Sequence, residues 1–314
     1  MELYPYTFKA VYKNKIWGGR NLERIMGRML PEGDIGESWE LADLTEGVSV
    51  VNNGPLKGKT LTELVESMGS DLLGEAEAIN GRFPLLVKIL DANDILSLQV
   101  HPDRSAVERI GSTAALKTEC WYVIESRNGF IYKGLKEGVT REDFRRAVES
   151  DTVADCVVRY DVQTGDFHWL PAGTVHALGN GVIVGEVQTP SDTTYRVSDW
   201  GRGREIHVDM AMDCIHFGTE DLSPPGAGDD VLVSCEFFSI SKVVGELPRV
   251  KPVGKCVSVM LLPGPGPLVI KYGGNEMKIW PGQTVLIPAG ISANIDPAGR
   301  CSYLLTTIGK GEPV

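Results

Sequence analysis

The run Ser97-Leu98-Gln99-Val100-His101-Pro102 sets three polar side chains at alternating positions. In a strand, residues two apart share a face. Ser97, Gln99 and His101 then point one way, and Leu98 and Val100 the other. Turned inward, three polar groups in an apolar interior are costly unless they bind something. Turned outward, they make an ordinary edge strand. Lys117-Thr118-Glu119-Cys120-Trp121-Tyr122 puts Lys117 and Glu119 on one strand face. Alone, that pair reads as an exposed ion pair. His176 follows the turn Pro171-Ala172-Gly173, and a single His after a turn is more often structural than a ligand. Together these stretches supply two imidazoles, one carboxylate and one amide oxygen. Mixed N and O ligands of this kind suit Zn²⁺, with Mn²⁺, Fe²⁺ and Co²⁺ as alternatives. The lack of cysteine among them fits a catalytic site with an open position more than a structural one.

A second polar stretch, Gly185 to Asp199, follows the strand-like run Val182-Ile183-Val184. Arg196 in it is a planar, bidentate group suited to clamping an anion. Glu186 can serve as a general acid or base. Asp192 and Asp199 read as members of a salt-bridged loop.

Short elements must position these groups. Turn signals such as Asn53-Gly54-Pro55, Gly273-Gly274-Asn275 and Pro281-Gly282 cut the chain into brief segments. Between them lie β-type runs, among them Leu85 to Leu90, Trp121 to Ile124 and Thr284 to Ile287. Many short strands with frequent turns predict a sandwich or barrel. Helices are expected over residues 60–68, with Thr60 as N-cap, and over 140–148, opened by Thr140 and acidic in its first turn. A third is expected over 207–214. Ser223-Pro224-Pro225-Gly226-Ala227-Gly228 has linker composition and places a boundary there.

One internal similarity sets the organisation. GDFHWLPAGTVH, from Gly165 to His176, aligns with the stretch reading PGQTVLIPAGISA, from Pro281 to Ala293. Each is a turn glycine, a strand, and a P-A-G turn that re-enters the sheet. His176 falls on Ala293. Two related barrels are expected: a catalytic one over 1–222, with a few short helices, and a degenerate one over 223–314 that binds no metal.

Composition narrows the partners. The 314 residues are 42% hydrophobic and 23% charged, an ordinary globular balance. A net charge of −11 argues against nucleic acid, which needs basic patches. Any anionic ligand needs its own local cations against that field. No apolar run approaches the ~20 residues that span a bilayer. The first ten residues lack the pattern of a secretory signal. The six cysteines form no C-x-x-C pair and read as reduced thiols, so the cytoplasm is the expected location.

The residues now on the page resemble type I phosphomannose isomerase, a zinc enzyme family of the cupin superfamily, and its short bacterial-type members in particular. The resemblance rests on IGESWELAD (Ile35 to Asp43), LSLQVHPD (Leu96 to Asp103), KTECWYVI (Lys117 to Ile124), LPAGTVHALGNGVIVGEVQ (Leu170 to Gln188), SDTTYRVSDWGR (Ser191 to Arg202) and WGG (Trp17 to Gly19). They occur in family order across most of residues 1–218. The resemblance implies a mainly β fold of cupin (jelly-roll) barrels. It implies one zinc ion per chain on Gln99, His101, Glu119 and His176. Arg196 matches the family's active-site arginine. Ser97, Lys88, Lys117 and Glu186 match positions lining its substrate pocket. Arg104 departs from the lysine that many members carry. The C-terminal region, from about Asp229, matches only in general style.

The implied reaction interconverts mannose 6-phosphate and fructose 6-phosphate, moving a proton between C1 and C2. Glu186 is the favoured base, with Lys117 or a water on the metal as rivals. The alternatives are a cupin isomerase or epimerase for another sugar or sugar phosphate, and a sugar-phosphate-binding cupin without turnover. A cupin dioxygenase fits less well, because Gln99 stands where such enzymes carry the first histidine of an H-x-H pair.

Overall fold

Thr60 and Thr140 each open a helix with a reciprocal cap. In the computed structural model, which describes residues 3–245 and 247–309, the Thr60 side chain accepts from the Glu63 amide, and Glu63 returns the bond to the Thr60 backbone. Thr140 and Asp143 repeat the arrangement. The helices run Leu61–Met68 and Arg141–Glu149, and the third expected helix is Val208–Cys214. Three further short helices, Asn21–Met26, Ser70–Leu73 and Arg104–Ile110, have no strong apolar period in the sequence. The rest of the framework is β, as expected for a cupin-type fold.

Two antiparallel sheets face each other. One has six strands in the order Phe167–Leu170, Glu119–Ser126, Val182–Gln188, Leu86–Ala92, Ile35–Leu41 and Val11–Gly19. The other has five: Val157–Asp161, Phe130–Leu135, His176–Leu178, Leu98–Val100 and Tyr195–Ser198. Between them lies an apolar layer that includes Trp17, Leu90, Trp121, Ile131, Leu178 and Val184. The outer face of the five-stranded sheet, with Leu98, Val100, Val175 and Ala177, packs on Phe144, Ala147 and Met212 of the helices. The outer face of the six-stranded sheet, with Val87, Ile89, Cys120 and Val187, packs on Phe238, Ile240, Met260 and Leu304. A sheet covered on both faces reads as a continuous apolar run rather than an alternating one, which is why Leu85 to Leu90 shows no clean period.

Those last four residues belong to the second pair of sheets. Its seven-stranded sheet runs Val231–Ser234, Phe238–Gly245, Cys301–Ile308, Val257–Leu261, Thr284–Ile287, Tyr6–Lys9 and Val50–Val51. Tyr6 stands opposite Leu286, so the first strand of the chain pairs with strands from beyond residue 223. The four-stranded sheet runs Arg249–Lys251, Ala293–Pro297, Leu268–Tyr272 and Asn275–Ile279. Val257, Val259, Ile270, Val285, Ile287, Ala293 and Ile295 fill the space between them.

The repeat seen in the sequence is a repeat of structure. His176 opens the strand after one P-A-G turn and Ala293 opens the strand after the other. Gln99 stands opposite His176, and Lys251 stands opposite Ala293. Lys251 is wholly buried. Its ammonium donates to the carbonyls of Pro288 at 2.7 Å, Ala289 at 3.2 Å and Ile291 at 2.6 Å. These are the carbonyls of the second P-A-G turn, and an ammonium has three donors to give them. Lys251→Met should strand the Pro288 and Ile291 carbonyls, since Ala289 also accepts from the Gly254 N–H at 2.8 Å, and should cost roughly 2 kcal/mol of stability, read as a fall in the denaturation midpoint. An unchanged midpoint would show that the turn does not depend on the ammonium.

Candidate active site

Directly opposed residues of antiparallel strands share a face, so register alone assembles the site. Across the six-stranded sheet one row reads His168, Trp121, Glu186, Lys88 and Trp39. The next row holds Leu170, Glu119, Gln188 and Leu86. Across the facing sheet a row reads Lys133, His176, Gln99 and Arg196. The strand Leu98–Val100 lies between two others, so it is not an edge strand. Lys117 and Glu119 are 4% and 0% exposed, so they are not a surface pair. Both of the local readings that made these residues ordinary are overturned by tertiary packing.

His101, Glu119 and His176 converge in the interior, with one ligand atom from each lying within 4.8 Å of the others. His101 Nδ1 lies 3.0 Å from the Thr193 carbonyl and His176 Nδ1 lies 2.9 Å from the Thr174 carbonyl. A carbonyl only accepts, so each Nδ1 carries a proton and each ring turns its Nε2 the other way. Both Nε2 atoms face the Glu119 carboxylate, at 3.4 Å from His101 and 3.2 Å from His176. Neither Glu119 oxygen nor His101 Nε2 has a hydrogen-bond partner. A cation among the three groups would give these buried atoms a partner. The backbone carbonyls behind each imidazole are the supports that metal-ligating histidines use. These residues fit a divalent ion.

Gln99 lies beside these three. Its amide nitrogen is 3.3 Å from His176 Nε2. Amide nitrogen and oxygen exchange places by a half-turn of the side chain, which would bring Oε1 to the same point. Ser97, also buried, reaches Gln99 Oε1 at 3.5 Å.

The charges around this centre are arranged in pairs. Burial would push the Glu119 carboxyl up, but the Lys117 ammonium at 3.2 Å holds it well below the usual range. Burial, reinforced by Lys117, pushes the His101 imidazole down to about 3, so the ring is neutral. Lys88 lies 3.1 Å from Glu186 and 3.8 Å from Glu37. Burial disfavours its charge, yet those two carboxylates keep it protonated well above the ordinary lysine value. Glu186 is pushed the other way. Burial raises it and the Glu119 charge adds to that, against Lys88, Lys117 and the Trp121 indole N–H at 2.8 Å. One interior therefore holds a carboxylate fixed as an anion and a second that takes up a proton more readily.

Glu37 is the residue that sequence reasoning missed. It lies on the fully buried strand Ile35–Leu41, bound by Lys15 at 2.8 Å and by the Trp39 indole at 2.7 Å. Burial would raise its carboxyl, but Lys88 and Lys15 hold it at about 2. Its signal in the sequence is the alternation of Glu37 and Trp39 beside two glycine-flanked turns. Arg196 is half-buried, with Nη1 on the Glu205 carbonyl and Nε buried without a partner. Asp199 binds Arg202 and Arg204, each at 3.0 Å, as the salt-bridged-loop reading expected. Arg104 points away from the site, pairing with Glu236 at 2.6 Å over the Phe237 ring.

Residues 6–122 match the family described as phosphomannose isomerase type I, catalytic domain. The mannose-6-phosphate isomerase of Streptococcus mutans is 34% identical over 304 residues, covering 92% of this chain and 94% of its own. The isomerase ManA of Bacillus subtilis is 37% identical over 260 residues, covering 77% of this chain and 80% of its own. The chain belongs to the type I phosphomannose isomerase family. The crystal structure of the mannose 6-phosphate isomerase from Bacillus subtilis superposes with a TM-score of 0.85 at 30% identity, covering 97% of this chain and 99% of that one. A mannosephosphate isomerase structure from Archaeoglobus fulgidus, at 21% identity and a TM-score of 0.80, shares the fold. Membership makes the protein an enzyme, an aldose–ketose isomerase.

For such an enzyme the paired charges have a use, because they fix side chains that must meet a substrate. Glu37→Gln should loosen Lys88 without touching the metal-fitting residues. Turnover should fall roughly ten- to hundred-fold, the usual effect of a small misplacement, with bound metal unchanged. Undiminished turnover would reduce Glu37 to a structural partner of Lys15.

Proposed function

We propose that this protein interconverts mannose 6-phosphate and fructose 6-phosphate with one zinc ion per chain, held by Gln99, His101, Glu119 and His176. The observation that carries this reading is the meeting of the His101 and His176 imidazoles on the ionised Glu119 carboxylate in the interior of a chain from an isomerase family. The N and O donors suit zinc, and no cysteine is among them. Relatives at 34% and 37% identity carry the name mannose-6-phosphate isomerase. The cytoplasm is the proposed location, and no helix among the described residues is long and apolar enough to cross a membrane. The partner is a small sugar phosphate. The net charge of −11 speaks against nucleic acid.

The reaction moves a proton between C1 and C2 of the open-chain sugar through an enediol-like intermediate. A bound zinc ion supplies Lewis acidity for the oxygens on those carbons. Glu186 is assigned the carbon-bound proton: it takes it from C2 of the aldose and returns it to C1 of the ketose. A raised proton affinity suits that exchange, since a base works best when its pKa approaches the working pH. Lys88 at 3.1 Å holds the Glu186 carboxylate in place. Lys117 and Ser97 orient the sugar oxygens. Arg196, in line with Gln99 on the facing sheet, clamps the phosphate and so positions carbons distant from it.

Conversion of mannose 6-phosphate should fall on chelation and return with zinc. Zinc that binds stoichiometrically without conversion would keep the site and refute the substrate. Glu186→Gln should lose turnover by about a hundred-fold or more while binding zinc as the parent does. Near-parental turnover in that variant would remove Glu186 as the base.

A further inference from the structure

His101 lies just past the strand Leu98–Val100 and His176 just past the P-A-G turn, and a third segment ties these two stretches together. His216 follows the helix Val208–Cys214. Its Nε2 lies 2.8 Å from an Asp103 oxygen and its Nδ1 lies 2.6 Å from a Glu220 oxygen. Both nitrogens face carboxylates, so both carry protons and the ring is a cation. Glu220 foremost, with Asp103, pushes its proton affinity up to about 9 against the cost of burial.

Each partner leads inward. Asp103 stands two residues beyond His101 and caps the helix Arg104–Ile110 through the Ala106 amide at 2.7 Å. Glu220 accepts from the Thr174 hydroxyl at 3.4 Å. The Thr174 carbonyl is the group that fixes the His176 tautomer. The His216 backbone N–H donates to the Gly173 carbonyl at 3.1 Å, and the Gly173 N–H donates to the His101 carbonyl at 2.9 Å. The ring also lies flat on Gly173, which has φ +92°; a Cβ there would meet the imidazole at 2.5 Å. Glycine is thus required at the P-A-G turn both by its backbone angle and by this ring.

We propose that His216 is a positioning residue for the metal centre: its bridge between Asp103 and Glu220 sets the spacing of the His101 and His176 stretches, and with it the affinity for the ion. The inference rests on the metal reading given above. Among the described residues, His216 makes no hydrogen bond to His101 or His176, and no other residue bonds both Asp103 and Glu220. Removing the cation leaves two carboxylates facing across a gap and pushing those stretches apart.

The test is zinc affinity of the full chain, by competition with a chromogenic chelator, for the parent, His216→Ala and His216→Arg. The thermal midpoints of the three metal-free proteins are measured alongside. His216→Ala should bind zinc about ten-fold more weakly, the low end for groups that support metal ligands, with a metal-free midpoint close to the parent's. His216→Arg should recover most of the affinity, since its guanidinium also offers two coplanar N–H donors and a fixed charge. Parental affinity in His216→Ala would overturn the proposal. So would a loss matched by a large fall in the metal-free midpoint and not rescued by arginine, which marks a merely structural residue. A parent that binds no zinc would instead overturn the metal reading itself.

Discussion

The structure depends on one buried cluster, the meeting of the His101 and His176 imidazoles with the Glu119 carboxylate. Buried polar groups normally find partners, because leaving one bare costs a large share of the whole stability. Here His101 Nε2 and both Glu119 oxygens make no hydrogen bond among the described residues. Thr193 and Thr174 each hold an Nδ1 proton. Burial and Lys117 keep the His101 ring neutral, and Lys117 holds the Glu119 carboxyl well below the usual range. A cation among the three groups would complete the cluster, and the surrounding charges follow from that. Lys117 balances Glu119, and the pair Glu37 and Glu186 balances Lys88.

The second barrel shows the same problem solved without a vacancy. Its P-A-G turn also aims carbonyls toward the interior, and its register matches that of the first. Where the first barrel has Gln99 opposite His176, the second has Lys251 opposite Ala293. The lysine carries its own cation inward and spends all three donors on the turn. Around it the interior is apolar throughout, from Val257 to Tyr303. This barrel serves as a scaffold, because Phe238, Ile240, Met260 and Leu304 cover the outer face of the six-stranded sheet. That cover keeps the rows bearing Glu119, Glu186 and Lys88 rigid.

Much of this was legible because strand periodicity is local. Leu98 and Val100 had to oppose Gln99, and the capping residues Thr60 and Thr140 fixed two helix starts. The repeated P-A-G turn exposed the paired barrels and the loss of His176 at Ala293. What stayed hidden was set by distant parts of the chain. Lys117 and Glu119 look like a surface pair until the facing sheet covers them. Tyr6–Lys9 has no sequence mark that sends it to Thr284–Ile287, because pairing across that distance is decided by the closed sheet. Helices as short as Ser70–Leu73 are held by tertiary packing rather than by their own periodicity. Glu37 was invisible as a site residue because its partners, Lys15 and Lys88, lie on two other strands.

The proposed anion-binding role of Arg196 rests on a similar count of partners. A chain of net charge −11 repels an anion unless cations are left unspent near the site. Three arginines lie close together in the segment after Tyr195. Asp199 binds two of them, Arg202 and Arg204, through both of its oxygens. Arg196 is the one that Asp199 does not hold. Its guanidinium reaches only the Glu205 carbonyl, and its buried Nε donates to nothing among the described residues. Burial and the charge of Arg204 lower its proton affinity, and an anion arriving there would offset the charge of Arg204. The same aspartate that looks like a simple loop anchor therefore decides which arginine remains available, and it leaves the one whose strand neighbour is Gln99.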